Sequence, residues 1–204
     1  MSSIILSRRD FREYDQIISV YTKDEGKREL LARGIKKITS KNAAHCEPFS
    51  VVDIEIAHGK EIDHLTKVQP VEYFAGIRND LQKSLMAGYV VSLLDTLVHE
   101  KERDERLFDH TLSWLQFLNL SIFQSFNLSL LDGYIVILLH CLGFSILQSL
   151  DIEKWKDALQ IMESGDWQAV AQFQYEKLLH RKIYEFLIYQ TEHKVPDWAK
   201  TCVI

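Results

Sequence analysis

Two periodicities divide the chain. Through about residue 75 the apolar positions alternate with polar ones or gather in short β-branched runs. Beyond it they recur every three to four residues. Ile4-Ile5-Leu6 opens a short strand. Asp15–Thr22 is β-branched and aromatic, and Lys23-Asp24-Glu25-Gly26 supplies a turn that ends in glycine. Arg28–Arg33 can pair back as the hairpin partner. In Phe49–Ala57, Val52, Ile54 and Ile56 face one way while Asp53 and Glu55 face the other, the mark of a half-buried strand. His58–Glu61 forms the next turn, and Ile62–Val68 follows, with Pro70 expected to end it. That makes five strands on short turns, apart from one longer link, Gly34–Pro48. A small closed or nearly closed antiparallel barrel removes the open edges of such a set.

From Arg78 the spacing is helical. Met86, Val90, Leu93, Leu94 and Leu97 share one face. Phe108, Leu112, Leu115 and Leu118 make a second helix, which Asp104 can cap. A third, from Leu128 to Leu142, is apolar nearly all round and is expected at the centre, with Gly143 to stop it. Asp151–Glu163 and Asp166 to about His193 supply two more, capped by Asp151 and Asp166, with Pro196 beyond the end. The expected class is α+β: a barrel over residues 1–76, then an all-α bundle over 77–204.

Composition adds limits. The chain has 204 residues, is 47% hydrophobic and 26% charged, and carries few glycines and prolines. Disordered, collagenous and disulfide-scaffold classes are excluded. Cys46, Cys141 and Cys202 are scattered and include no C-x-x-C, so neither a zinc knuckle nor a redox pair is supported; free thiols in a reducing cytoplasm are expected. The N-terminus lacks the basic and apolar regions of a secretion signal. The longest apolar stretch, Ile135–Leu147, is too short for a membrane span, which needs roughly 20 residues. Cys202 stands third from the end, where a prenylation box needs it fourth.

The net charge of −5 conceals an asymmetry. Residues 1–41 hold ten Lys/Arg and six Asp/Glu, a balance of +4; the rest hold fourteen and twenty-three, a balance of −9. Arg9, Lys27, Arg28, Arg33, Lys36, Lys37 and Lys41 concentrate the positive charge. Gly34, Thr39, Ser40 and Asn42 intersperse groups able to approach or hydrogen-bond a phosphate. A basic strand end that runs into a polar, basic loop is what a phosphate-tracking surface requires; a solvated mobile loop has the same composition. Stacking aromatics usually accompany such cations. Phe11 and Tyr14, in the polar run Arg8–Asp15, are the candidates, while Tyr21 and Phe49 are expected in the barrel core.

Catalytic patterns are missing. Glu55-x-x-His58 and Glu61-x-x-His64 have metal-ligand spacing, but on strands or turns i and i+3 point to opposite faces, so no metal is expected. His45-Cys46-Glu47 reads as a buried loop thiol and His140 as a hydrogen-bonded core histidine. No phosphate-binding glycine loop, nucleophile elbow or HExxH occurs. No cofactor is indicated, and the support is for binding rather than for an enzyme.

The residues also resemble a known family. The run Arg8–Asp15, R-R-D-x-x-E-x-D, is followed by Thr22 with Glu25-Gly26-Lys27, by Ala32-Arg33-Gly34, and by Ser40 in the basic link. Then come Glu47-Pro48-Phe49, Gly59 and Gly76-Ile77-Arg78, with Tyr89, Leu93-Leu94, Leu107-Phe108 and Leu142-Gly143-Phe144 beyond. Over roughly residues 4–145 this ordered series resembles the RecO family of bacterial recombination mediators. The resemblance implies an oligonucleotide-binding (OB-type) barrel followed by a helical domain. It implies binding of single- and double-stranded DNA, annealing of complementary strands, and assistance in loading RecA onto DNA coated by single-strand-binding protein. The partners it implies are RecR and the acidic C-terminal tail of single-strand-binding protein. Many relatives carry a four-cysteine zinc module after the Leu142-Gly143 helix; residues 145–172 here contain no cysteine. The rival reading is a protein-interaction scaffold whose barrel no longer binds DNA.

Overall fold

The computed structural model describes residues 1–121, 128–149 and 153–202. Five strands, β1 (Ser2–Asp10), β2 (Gln16–Thr22), β3 (Gly26–Ala32), β4 (Val51–Ala57) and β5 (Asp63–Glu72), close into a barrel in the order β1-β2-β3-β5-β4. Nine helices follow among the described residues: α1 (Ala75–Arg78), α2 (Leu81–Leu97), α3 (Glu105–Leu120), α4 (Leu128–Cys141), α5 (Ile146–Ser149), α6 (Lys156–Ser164), α7 (Trp167–Gln172), α8 (Lys177–Thr191) and α9 (Trp198–Thr201). None is long and apolar enough to cross a membrane.

The alternation in β4 does what its pattern dictates. Val52 and Ile54 are buried inside the barrel with Ile5, Ile18, Val20, Leu30 and Leu65, while Asp53 and Glu55 are exposed. Four of the five strand contacts are antiparallel. Closure is parallel, through Leu30 opposite Asp63 and Leu31 opposite His64. Three strands exceed their expected bounds, β3 by beginning at Gly26 and not Arg28. β1 continues from Leu6 to Asp10 because Arg8, Arg9 and Asp10 pair with Ile18, Ile17 and Gln16. β5 runs through Pro70, which lies opposite Val52 next to a register shift. A proline is found in strands at such irregularities, and β3 pairs with β5 only at its start, so this stretch is bordered by β4 alone.

The outward face of β1 and β2 is also apolar. Ile4, Leu6, Tyr21, Phe49 and Val51 join a second, larger core that runs through α2 and α3 to α4. Tyr21 and Phe49 are therefore buried, but on the outer wall and not in the interior where they were expected; Tyr21 donates its hydroxyl to the Asp104 carbonyl at 3.2 Å. Helix α4 is central as expected, with every residue from Leu128 to Leu139 buried. Asp104 and Asp166 cap α3 and α7. Asp80, not foreseen as a cap, accepts the Lys83 N–H at the start of α2. The expected cap Asp151 lies outside the described residues.

Two polar contacts tie the layers together. Asp95 on α2 accepts hydroxyl hydrogen bonds from Ser7 on β1 and Ser19 on β2, both at 2.6 Å, and pairs with the Lys27 ammonium of β3 at 3.1 Å. Burial alone would push its carboxyl up, but Ser19, Ser7 and Lys27 outweigh it and hold the pKa below the usual carboxylate value. Arg78, at the end of α1, lies 4.1 Å from the ring centroids of both Phe49 and Tyr73. Its guanidinium donates to the carbonyls of Pro48 and Tyr73 and to the Ser50 hydroxyl.

The helical half corrects two expectations. The single helix expected over Asp166–His193 is two, α7 and α8, broken at Phe173–Glu176. Neither glycine nor proline stands at the break. Phe173 and Glu176 are extended, and the Glu176 carboxylate accepts the Trp155 indole N–H and the Lys154 ammonium. His140 is exposed at the C-terminal end of α4, where the apolar stripe gives out; it is not a core histidine. The buried, hydrogen-bonded histidine is His180. Its Nδ1 lies 2.8 Å from Asp132 and its Nε2 3.1 Å from Asp197, and the Trp198 indole also donates to Asp132 at 2.7 Å. Burial disfavours the imidazolium, but the hydrogen bonds and charges of the two carboxylates prevail and raise its pKa.

Asp95→Ala strands a mostly buried ammonium and two hydroxyls. Because the site is partly solvated, its cost in urea denaturation at pH 7 is about 2 kcal/mol, below that of breaking a fully buried pair. A depressed folded-state pKa stabilises fully above the unfolded value and loses that effect as pH falls through the folded value. The difference between wild type and variant therefore stays constant from pH 7 to about 5 and shrinks below about 4. Arg78→Lys keeps the charge but loses the flat stacking face and the forked donors, and it lowers stability by about 1–2 kcal/mol in the same measurement.

Candidate functional site

The site is built where two loops meet at the end of the barrel away from α2. The β1–β2 connection carries Phe11, Arg12, Glu13 and Tyr14, and the chain leaving β3 runs beside it. The Gly34 N–H donates to the Asp15 carboxylate at 2.8 Å, and the Lys36 N–H donates to the Tyr14 carbonyl at 3.1 Å. Gly34 has φ +64°, a left-handed conformation that suits glycine. The turn it makes drops Ile35 into the barrel interior, where it packs in the inner core. With Ile35 plugging the barrel, Lys36, Lys37 and Ile38 are thrown outward, and all three are exposed.

Five of the seven candidate cations are exposed on these two segments or the strand ends beside them. Arg9 is exposed on the last pairs of β1, Arg33 follows β3, and Lys36, Lys37 and Lys41 occupy the loop. Phe11 and Tyr14 are 46% and 47% exposed, high for aromatic rings and sufficient for stacking. Each carries a cation: the Arg12 guanidinium carbon stands 5.1 Å from the Phe11 ring centroid, and the Lys37 nitrogen 5.6 Å from that of Tyr14. Arg33 is 3.5 Å from the His64 ring.

The other two candidates lie elsewhere. Lys27 and Arg28 sit beside the β2–β3 turn, at the opposite end of β3. Lys27 is engaged with Asp95, and Arg28 is held between Glu25 and Asp63; their side chains are 14% and 12% exposed. The turn beside them is packed against the α2–α3 connection. Gly26, at φ +72°, approaches the Glu102 carbonyl so closely that a Cβ would stand 2.1 Å from its oxygen. Two cations that no sequence signal had singled out belong to the surface instead. Arg8 and Arg12 flank the β1–β2 tip, and the run Arg8–Asp15 would have indicated them had β1 been extended to Asp10.

Acids are interleaved with the cations. Arg8 pairs with Glu47, Arg9 with Glu29, and Lys36 with Asp10, each at 2.8 Å. The Lys36 hydrogen bond, with a second from Gln16, holds the Asp10 carboxyl below the usual range. Among the described residues, Arg12, Arg33, Lys37 and Lys41 have no such carboxylate partner. The surface offers dispersed cations and two exposed rings.

Neither motif with metal-ligand spacing converges. His58 faces Asp63 at 3.3 Å, while His64 faces Arg33. Among the described residues no group of three or more His, Cys, Asp or Glu side chains is placed to hold a metal ion. Cys46 is fully buried in the barrel, and burial pushes its thiol up to about 12.

The helical half holds a separate cavity of about 710 Å³. Leu128, Tyr175 and Tyr184 line it with His180, and Lys177, Arg181 and Lys200 stand at its walls. Of the three, Arg181 pairs with Glu185 and Lys200 with Asp197, both at the exposed surface; elsewhere in this half Lys83 is engaged with the Ser121 carbonyl, Lys154 with Glu176 and Lys182 with Glu185.

Comparison with known proteins agrees with this architecture. A family model described as "Recombination protein O N terminal" matches residues 1–74, and one described as "Recombination protein O C terminal" matches residues 78–146. The "DNA repair protein RecO" of Desulforamulus reducens is 36% identical over 108 residues, 53% of this chain and 42% of that protein. Its namesake from Syntrophomonas wolfei is 32% identical over 146 residues, 68% of this chain and 58% of that protein. That of Caldanaerobacter subterraneus is 27% identical over 203 residues, 94% and 79% respectively. The chain thus spans about half the length of the first two relatives and most of the third. With both family halves matched in order on a barrel and the helices that follow it, the chain belongs to the RecO family.

Proposed function

We propose that this chain is a non-enzymatic mediator of DNA repair and recombination that grips DNA at the open end of its barrel. The observation that carries the reading is the meeting of the β1–β2 connection with the chain leaving β3, which brings Arg12, Lys36 and Lys37 beside exposed Phe11 and Tyr14, with Arg9, Arg33 and Lys41 exposed on the same two segments. Phosphates replace their condensed counterions with these side chains, and the rings offer platforms to unstacked bases. A surface that holds two strands while screening their mutual repulsion speeds annealing. In this reading the chain presents strands to RecA on DNA coated by single-strand-binding protein, together with RecR.

The second contact of the reading is the cavity on the helical half. A peptide such as the tail of single-strand-binding protein needs an apolar pocket and a cation, and the cavity pairs Leu128, Tyr175 and Tyr184 with Lys177, Arg181 and Lys200.

If about six phosphates of a single strand are neutralised, the log–log dependence of affinity on salt has a slope near −4, measured by fluorescence anisotropy on labelled poly-dT. Replacing Lys36, Lys37 and Lys41 by glutamate weakens binding to every sequence about equally, because phosphate contacts carry no base code. Affinity flat between low and moderate salt would instead favour a scaffold that does not bind DNA. Separately, titration with an acidic, aromatic-ended peptide shifts the resonances of Tyr175 and Tyr184, and Arg181→Glu abolishes the shift. Unchanged resonances at saturating peptide reject this cavity as the docking site.

A further inference from the structure

The interface carries its own competitors. Three of its cations are each held at 2.8 Å by a carboxylate that also lies on the barrel or its loops: Arg8 by Glu47, Arg9 by Glu29 and Lys36 by Asp10. None of these pairs is needed to satisfy a buried charge, since all six side chains are at least one-third exposed. Exposed pairs of this kind contribute little to stability, so structure alone does not account for them. Asp10 is in addition oriented by the Gln16 amide at 2.9 Å, which fixes its carboxylate in place whether or not Lys36 stays.

We infer that Asp10, Glu29 and Glu47 act as tethered phosphate mimics that a nucleic acid must displace, so that the surface responds to a polyanion and not to single phosphates. The inference rests on the proposed DNA interface. A carboxylate on the same chain competes at a high effective concentration, which an isolated phosphate or mononucleotide cannot match. A strand matches it because its phosphates arrive together, and one contact raises the effective concentration of the next. The unpaired cations Arg12, Arg33, Lys37 and Lys41 provide first contacts, and the paired ones engage as the strand extends. The result is a steep dependence on strand length and a grip weak enough to let strands exchange.

Neutral isosteres test this, because they keep shape and hydrogen-bonding capacity while removing charge. Binding of dT oligonucleotides of increasing length is measured by anisotropy for wild type, Asp10→Asn, and the triple variant Asp10→Asn, Glu29→Gln, Glu47→Gln. Asp10→Asn tightens binding about threefold and the triple variant roughly 20-fold, as expected of independent exposed pairs. The gain is largest for the shortest strands, so the length dependence flattens. The effect of Asp10→Asn disappears in a Lys36→Met background. Asp53→Asn, which removes an exposed charge elsewhere on the barrel, changes affinity less than Asp10→Asn does. Thermal melting of each variant verifies the fold.

If wild type binds and the triple variant binds equally or more weakly, the acids orient the cations and the inference is overturned while the DNA interface stands. An equal gain from Asp53→Asn also overturns it, since net charge alone then accounts for the effect. Binding by neither protein at low salt overturns both readings. Binding by the triple variant alone supports the inference in its strongest form.

Discussion

One carboxylate fixes how the helices are seated on the barrel. Asp95 reaches from α2 to Ser7, Ser19 and Lys27, on three successive strands. A helix bound to three strands cannot slide or rotate on the barrel without breaking several hydrogen bonds in a partly buried site. The apolar wall of Ile4, Leu6 and Tyr21 closes around this contact, and Gly26 lets the α2–α3 connection approach the β2–β3 turn. One end of the barrel is thereby committed to the helices. The other is left to solvent.

The two ends treat their cations in opposite ways. At the helical end Lys27 and Arg28 are drawn into ion pairs with Asp95, Glu25 and Asp63 and lose most of their exposure. Desolvation makes such pairs hard to exchange, since an incoming anion would have to leave water and break them. At the open end the pairs of Arg8, Arg9 and Lys36 remain wet, and four other cations have no carboxylate partner among the described residues. Hydrated pairs exchange readily. Local dielectric, more than the number of positive residues, separates structural cations from those whose pairs stay hydrated.

The helices beyond the matched family region are organised by a second polar centre. His180, Asp132, Asp197 and Trp198 join α4, α8 and α9 through hydrogen bonds to a buried carboxylate. Both ring nitrogens of His180 face carboxylates, so the imidazolium satisfies both at once. The cavity on this side borrows His180 and Asp197 as part of its wall, which makes its shape dependent on the same network.

Much of the architecture is legible from sequence because it follows from one-dimensional periodicity. Alternation in Phe49–Ala57 and the all-round apolarity of Leu128–Leu142 identified a barrel strand and a central helix without any knowledge of partners. The basic link and the aromatics of Arg8–Asp15 were likewise visible as composition. What a one-dimensional pattern cannot encode is who stands opposite. The extension of β1 to Asp10 depends on pairing with β2, and the continuation of β5 through Pro70 on pairing with β4. The burial of Tyr21 on the outer wall depends on α2 and α3. Lys27 and Lys36 are both lysines of one basic stretch, nine residues apart. Only the tertiary fold, by placing Asp95 beside one and water beside the other, made the first a structural ion and left the second free to exchange its partner.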